Sequence, residues 1–409
     1  MQGRHVGSVF ILVGAAIGAG MLALPILAAG AGFMVSMLAL IGIWAVMLCT
    51  SLLTLEVTLA FEDHNNSFGT MAKRTLGLPG SIASWIAYLL LLYATTAAYI
   101  SGSTSLLNLL LKNGLGIVLP GWVNALSFTL VFGFFVFFSM RAVDYLIRGL
   151  LSVKGILIIV TILLLMPYVD FTKLLSSDSQ SRYIWAALPI FLNAFGFHFV
   201  IPSVTSYCNK DAKALRKIII IASLIPLVIY ILWLMVTLGI IPLSGSHSFE
   251  RIADTGGSVG GFIDSLGYLV HDKTVNGFIN AFSNIAMTTS FLGVSLGLFD
   301  FLADGCKRDD SHKGRLQTAL LTFIPPLGFA ILYPNGFILA LEYSTIFAVI
   351  LEIFLPALMA YKLVRIKELH SEYHCVFNRP LMTGLLLLFG VVMIGLVAMD
   401  RLHLLPYVF

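Results

Sequence analysis

GAAIGAGMLALP (Gly14–Pro25) and FLNAFGFHFVIP (Phe191–Pro202) are two apolar stretches, each interrupted by glycine and closed by proline. A peptide group left unpaired against lipid is strongly unfavourable, so a membrane helix gives up backbone hydrogen bonds only where the loosened chain lines a cavity. Four further hydrophobic spans separate the two stretches. They therefore stand at corresponding positions of two halves, the pattern expected around the substrate site of a transporter.

The rest of the chain agrees. Of 409 residues, 59% are hydrophobic and only 11% charged, which excludes an ordinary soluble globular protein. Windows of about 20 mostly apolar residues predict eleven spans, near 6–28, 33–60, 80–111, 121–140, 149–168, 184–206, 218–242, 275–303, 316–333, 336–361 and 381–400. The first lacks a small-residue cleavage site and runs through Gly30 into the second, so it reads as a retained span rather than a signal peptide. No loop is long enough for a soluble domain, which leaves one transmembrane domain over residues 1–409. Five spans per half is an odd number, so a second copy enters the bilayer from the other side. The expectation is an all-α polytopic protein with a five-plus-five inverted repeat, about 6–168 and 184–361, and a peripheral helix at 381–400.

Orientation follows the basic residues. With the N-terminus cytoplasmic, 17 lysines and arginines fall inside and six outside, with Lys154 left within a span. The C-terminus is then expected on the periplasmic side. The net charge of +4 is thus a topology signal, and no nucleic-acid surface is implied. Cys49 falls within the second span and Cys208, Cys306 and Cys375 on the cytoplasmic side, a placement that argues against a disulfide framework. Glu62–Gly77 is too polar to span and is expected near the cytoplasmic surface. Gly261–Leu269 is too short to cross, and reads as a surface helix in a solvated loop or as an external lid.

The chemistry concentrates at the breaks. Gly14, Gly18 and Gly20, with Ala15, Ala16 and Ala19 among them, either allow close helix packing or split the first span into two half-helices. In the second case one half ends in exposed carbonyls and the other begins with exposed N–H groups. Those ends match the ammonium and carboxylate of an amino acid. Gly18, Ala19 and Gly20 are candidate carboxylate donors, and the carbonyl of Ala15 is a candidate ammonium acceptor. The sixth span offers Asn193, Gly196 and His198 among Phe191, Phe195, Phe197 and Phe199; Phe191, Phe195 and Phe199 form a stripe that faces either lipid or ligand, and Phe197 points elsewhere on a regular helix. His198 is a hydrogen-bonded packing residue, a substrate partner or a proton carrier.

Lys154 is the one basic residue well inside a span. It either snorkels to the cytoplasmic face or holds its charge in the bundle, near carbonyls of the first break and the hydroxyls of Thr288, Thr289 and Ser290. In the second position it could lose and regain a proton in each cycle. Glu56 and Asp300 lie near cytoplasmic ends as caps or ion-pair partners; Glu342 and Glu352, in the tenth span, are candidates for pairing with a cation or relaying a proton. Tyr93, Tyr99 and Ser101 of the third span are candidate substrate hydroxyls. The chain carries no phosphate-binding loop, HExxH, GxSxG or cysteine–histidine cluster, so no enzymatic centre, metal site or cofactor is expected.

GSVFILVGAAIGAGMLALP, YATTAAYISG, FGFHFVIPS, TSFLGVSLGLFDFLAD and LQTALLTFIPPLGFAILYPNGF together resemble the bacterial hydroxy and aromatic amino acid permease family, nearly end to end, and within it the tyrosine-specific members. The resemblance implies the leucine-transporter type of inverted-repeat fold and proton-coupled import of an aromatic amino acid across the inner membrane. It also implies that Lys154 stands where sodium-coupled relatives hold sodium, beside Ala16, Thr288 and Thr289. Three positions depart from it: Phe199 stands where glycine is expected, and Glu342 and Glu352 stand where uncharged residues are expected.

Overall fold

The computed structural model describes residues 3–61, 67–138, 140–175, 181–308, 311–363, 366 and 379–405, without the side chains of residues 19, 140–146 and 148. Cys375, the acidic start of the link between the second and third spans and the last four residues lie outside the described residues. Among the described residues, ten helices are long and apolar enough to cross a membrane. The helices Gly3–Ala16 and Gly20–Ala28, bent by 51°, make an eleventh crossing when counted as one span. Every described helix is α, 3-10 or π, and each predicted span has its counterpart.

Local chemistry sets the departures from straight helices. The third span belongs to a long helix, Phe68–Leu115, that turns sharply at Gly77, whose φ of 77° suits glycine, with Pro79 just beyond. Its first part, Phe68–Leu76, starts at Ser67, whose Oγ accepts the Thr70 N–H at 3.3 Å. This short helix occupies the segment expected near the cytoplasmic surface. The sixth span divides into Ile184–Ala194 and Ile201–Tyr207, with a 3-10 turn at His198–Val200 between them. Pro202 sits in the first turn of the second piece, where its missing N–H is no loss. The tenth span is Phe337–Val349, a π turn at Ile350–Phe354, and Leu355–Leu363.

On the face opposite the N-terminus lies Val259–Val270, too short to cross. It buries Val259, Phe262, Ile263, Leu266 and Val270 against the bundle. The Gly260 N–H donates to Ser105 Oγ of the third span at 3.0 Å, and Phe262 meets Trp233 edge-on at 6.1 Å. The segment is therefore a docked helix rather than a solvated loop.

The eleventh span, Arg379–Arg401, is fastened at both ends by ions. Arg379 pairs with the fully buried Glu56 of the second span and donates to Ala360 O at 2.8 Å. Arg401 pairs with Glu342 and Asp400. Glu56→Ala removes the ion pair between Arg379 and a fully buried carboxylate and is expected to lower stability by about 3 kcal/mol, read as a lower unfolding temperature of the detergent-solubilised protein.

Candidate functional site

The first half-helix ends at Ala16. Ile17 N–H still reaches back to Val13 O at 2.8 Å, but Gly18 N–H turns to Ala16 O at 2.8 Å. Gly18 is extended (φ −98°, ψ −172°) and leads into a 3-10 turn over Ala19–Leu22, followed by Leu24–Ala28. The unwinding releases carbonyls on one side and exposes the first N–H groups of the turn on the other.

Those carbonyls have partners from distant spans. Lys154, in the helix Met140–Leu165, is 4% exposed and donates to Ile17 O at 2.6 Å. It turns inward to the break and does not snorkel. The hydroxyl of the fully buried Tyr230, in the seventh span (Ala212–Ile240), lies 2.8 Å from Ala16 O and 2.8 Å from Ala194 O, the end of the first half of the sixth span. One hydroxyl proton serves one carbonyl at a time, so Tyr230 couples the two breaks.

The three glycines of the first break differ in their surroundings. A Cβ on Gly14 would meet Leu151 side-chain carbons at 3.3 Å, so Gly14 serves close packing. On Gly18 it would meet the Tyr99 hydroxyl at 3.2 Å and Ser290 Oγ at 3.5 Å, and on Gly20 it would meet no atom within 4 Å. Open space beside Gly20 and two hydroxyls beside Gly18 are features of a ligand-facing backbone. Tyr99, 8% exposed, has no hydrogen bond to its hydroxyl among the described residues.

At the second break, Phe195 is buried and packs edge-on to Tyr230 at 5.3 Å. Asn193 Nδ2 donates to Ser344 Oγ at 2.8 Å. Phe197 stacks on His198 at 5.4 Å and packs in a cluster with Val9, Leu12, Ala16 and Leu55. His198 is fully buried, with Nε2 at 2.8 Å from Thr50 Oγ1. The missing side chain of Gly196 makes room for the Glu352 carboxylate, whose Oε1 lies 3.0 Å from where a Cβ would stand.

A vestibule of about 260 Å³ runs from Ser67, on the N-terminal face, to His198 and Glu352. Its aromatic wall is Trp85, Tyr88, Phe199 and Phe301, with Tyr88 at 5.1 Å from Phe301 and 6.1 Å from Phe199. The unexpected Phe199 thus shapes this passage.

The remaining candidates have the following partners. The Tyr93 hydroxyl donates to Leu321 O in the ninth span at 2.9 Å, and Ser101 to Pro334 O at 2.9 Å. Thr289 donates to Ile285 O of its own helix at 2.8 Å, and Thr288 beside it is half-buried with no hydrogen bond among the described residues. Ala15 is half-buried and Ala16 buried within the same cluster as Phe197. Tyr230, and Glu352 as the neighbour of Gly196, were not singled out by sequence reasoning as parts of the breaks. The available signals were a lone tyrosine in LIPLVIYILWL and a lone carboxylate in VILEIF.

Up to eleven crossings among the described residues, with the bent pair counted as one, and two unwound helices that meet at Tyr230 are the architecture of a multi-pass membrane protein. The chain belongs to the tryptophan/tyrosine permease family, which it matches over residues 1–397. It is 36% identical over 404 residues to a tryptophan-specific transport protein of Pseudomonas aeruginosa, covering 98% of this chain and 95% of that one. It is 35% identical over 407 residues to tyrosine-specific transport system 1 of Haemophilus influenzae, covering 99% of both. A tryptophan-specific transport protein of Shigella flexneri is 37% identical over 389 residues, 94% of this chain and 92% of that one. The family expected from the motifs is therefore the family found, and the protein is a permease rather than an enzyme. Relatives named for tryptophan and for tyrosine stand at nearly equal distance.

Proposed function

We propose that this protein imports an aromatic amino acid, tyrosine first, together with protons across the inner membrane, by alternating access around the two breaks. Its N-terminus is cytoplasmic and its C-terminus periplasmic in this reading, as the basic residues suggest. The observation that carries it is the backbone from Gly18 to Gly20, open beside Gly20 and faced by the Tyr99 hydroxyl.

The substrate carboxylate takes the N–H groups at the start of the 3-10 turn, where the helix end carries positive partial charge. Ala19 and Gly20 contribute most, because Gly18 N–H is turned to Ala16 O. The ammonium meets carbonyls of the first half-helix, Ala15 O among them. The ring lies toward Phe195 and Asn193. Tyr93 and Phe197, candidates from sequence, drop out of the binding set because the first bonds to the ninth span and the second is packed away from the opening.

Lys154 links the proton to the site. As an ammonium it holds Ile17 O with full charge, and as a neutral amine it holds the same carbonyl less strongly, so its proton biases the geometry of the first break. Ala16 follows through its position next to that carbonyl, and Thr288 and Thr289, beside Ser290 on the eighth span, complete the proposed coupling set.

Tyrosine is preferred because Asn193 Oδ1 has no hydrogen bond among the described residues and offers an acceptor for a phenol hydroxyl near Phe195. Asn193→Ala is expected to reduce discrimination between tyrosine and phenylalanine by about tenfold or more, measured by competition for uptake. Tryptophan is the second reading, favoured by the 36% and 37% identity to tryptophan-specific proteins. Competition of labelled tyrosine uptake by tryptophan, phenylalanine, serine and threonine decides between them. Accumulation in sodium-free proteoliposomes under an inward proton gradient tests the coupling. Failure of every aromatic amino acid to compete would overturn the substrate class, and dependence on sodium would overturn the proton.

A further inference from the structure

The tenth span places a carboxylate where the fold supplies no counter-charge. Glu352 is 2% exposed and sits on the π turn Ile350–Phe354, a local widening of the kind that recurs at functional sites. Its carboxylate rests beside the second break at Gly196, with Oε2 at 3.8 Å from His198 Nδ1. Both of these atoms are buried and have no hydrogen-bond partner among the described residues.

The hydrogen bonds around His198 decide which ring nitrogen carries the proton. Thr50 Oγ1 donates to Met47 O at 3.2 Å, so its lone pairs face the imidazole. His198 Nε2–H therefore donates to Thr50 Oγ1 at 2.8 Å. Nδ1 is left as an acceptor. An acceptor nitrogen and an ionised carboxylate oxygen facing each other in a buried site repel, and a single proton between them turns that repulsion into a hydrogen bond.

The surrounding charges leave this pair to itself. From the third span, Tyr88 lines the same cavity, and Asp300 of the eighth span acts on Tyr88. Glu56 of the second span is tied to Arg379 of the eleventh, while Glu342, Asp400 and Arg401 gather at the opposite ends of the tenth and eleventh. Tyr361 and Lys362 follow Glu352 by more than two turns on the tenth span. Among the described residues, no lysine or arginine lines the cavity.

We propose that Glu352 and His198 together hold one exchangeable proton at the head of the vestibule, exchanged with the cytoplasm in each transport cycle. The step balances simply. Glu352 carboxylate takes a proton from hydronium in the vestibule, water is left, and the new O–H donates to His198 Nδ1; the reverse step returns the proton. The proposal rests on the proton-coupled reading above and adds to it a second proton site, distinct from Lys154 and beside the other break, between the sixth and tenth spans.

Glu352→Gln reproduces the protonated acid, shape and donor included, without a proton to release. In proteoliposomes, E352Q is expected to retain tyrosine and tryptophan counterflow within about twofold of wild type, while accumulation driven by an inward proton gradient falls at least about tenfold. Undiminished gradient-driven accumulation would overturn the proposal. So would loss of counterflow together with accumulation in a protein that elutes as folded, since the carboxyl would then serve substrate binding. Should E352Q not fold, His198→Gln carries the same test with the same two outcomes. If wild type itself ignores the proton gradient, the coupling reading fails with this one. If wild type responds, Lys154→Met does not and E352Q does, only the second site is wrong.

Discussion

Lys154→Met is expected to reduce uphill accumulation at least about 100-fold. The substitution removes both a buried charge and the donor to Ile17 O. An orphaned buried carbonyl costs about 1–3 kcal/mol, and each 1.4 kcal/mol shifts the balance of break geometries about tenfold. Lys154→Arg separates charge from proton transfer. Guanidinium keeps the positive charge and does not release its proton, so K154R is expected to support counterflow but not gradient-driven uptake. Parallel assays of both modes in proteoliposomes make the comparison, and proton-driven accumulation by K154R would remove Lys154 from the coupling step.

Gly18→Val is the second large effect. At φ −98° and ψ −172° Gly18 is in extended backbone open to any residue, so the substitution strains no torsion. Its first carbon would already lie 3.2 Å from the Tyr99 hydroxyl and 3.5 Å from Ser290 Oγ, and the two methyl groups fill the space that a substrate needs. Tyrosine affinity is expected to fall at least about 100-fold, equivalent to about 2.7 kcal/mol. Gly20→Ala provides the contrast. Its methyl group enters open space, so melting temperature should hold while affinity falls. Thermal unfolding and equilibrium binding, measured on the same preparations, separate these effects. Full tyrosine affinity in G18V would place the substrate elsewhere.

Much of this architecture was legible in the residues because a bilayer imposes one strong rule. Spans must be long and apolar, so their number and approximate ends follow from hydropathy, and glycine with proline inside such a span marks a break. Lys154 was legible for the same reason, as a base without a polar neighbourhood. Its direction was not. Whether a side chain snorkels or turns inward depends on the rotation of its helix against the others, and Lys154 meets a carbonyl 137 residues away.

The same limit explains the remaining differences. Gly14 and Gly18 look alike in GAAIGAG, yet one abuts Leu151 and the other faces two hydroxyls. Tyr93 and Tyr99 are six residues apart, which on a helix turns them to different faces, and only Tyr99 faces the first break. Tyr230 acquires its position only when the first, sixth and seventh spans are assembled. Glu352 could be seen in sequence as an odd carboxylate, but its relation to His198 spans 154 positions and depends on the gap left by Gly196.

The proposed function gives the two breaks separate tasks. In that reading the first holds the charged ends of the amino acid with backbone and is coupled to a proton through Lys154, and the second surrounds the ring with Phe195 and Asn193, beside the vestibule lined by His198 and Phe199. Tyr230 ties the two so that a shift at one carbonyl is felt at the other.

A structure of the wild-type protein with tyrosine bound, determined in lipid, tests this division most directly. The account predicts the substrate carboxylate on the N–H groups of Ala19 and Gly20, the ammonium on carbonyls of the first half-helix, and the ring against Phe195. Tyrosine bound with its carboxylate on side chains away from residues 18–20 would contradict it.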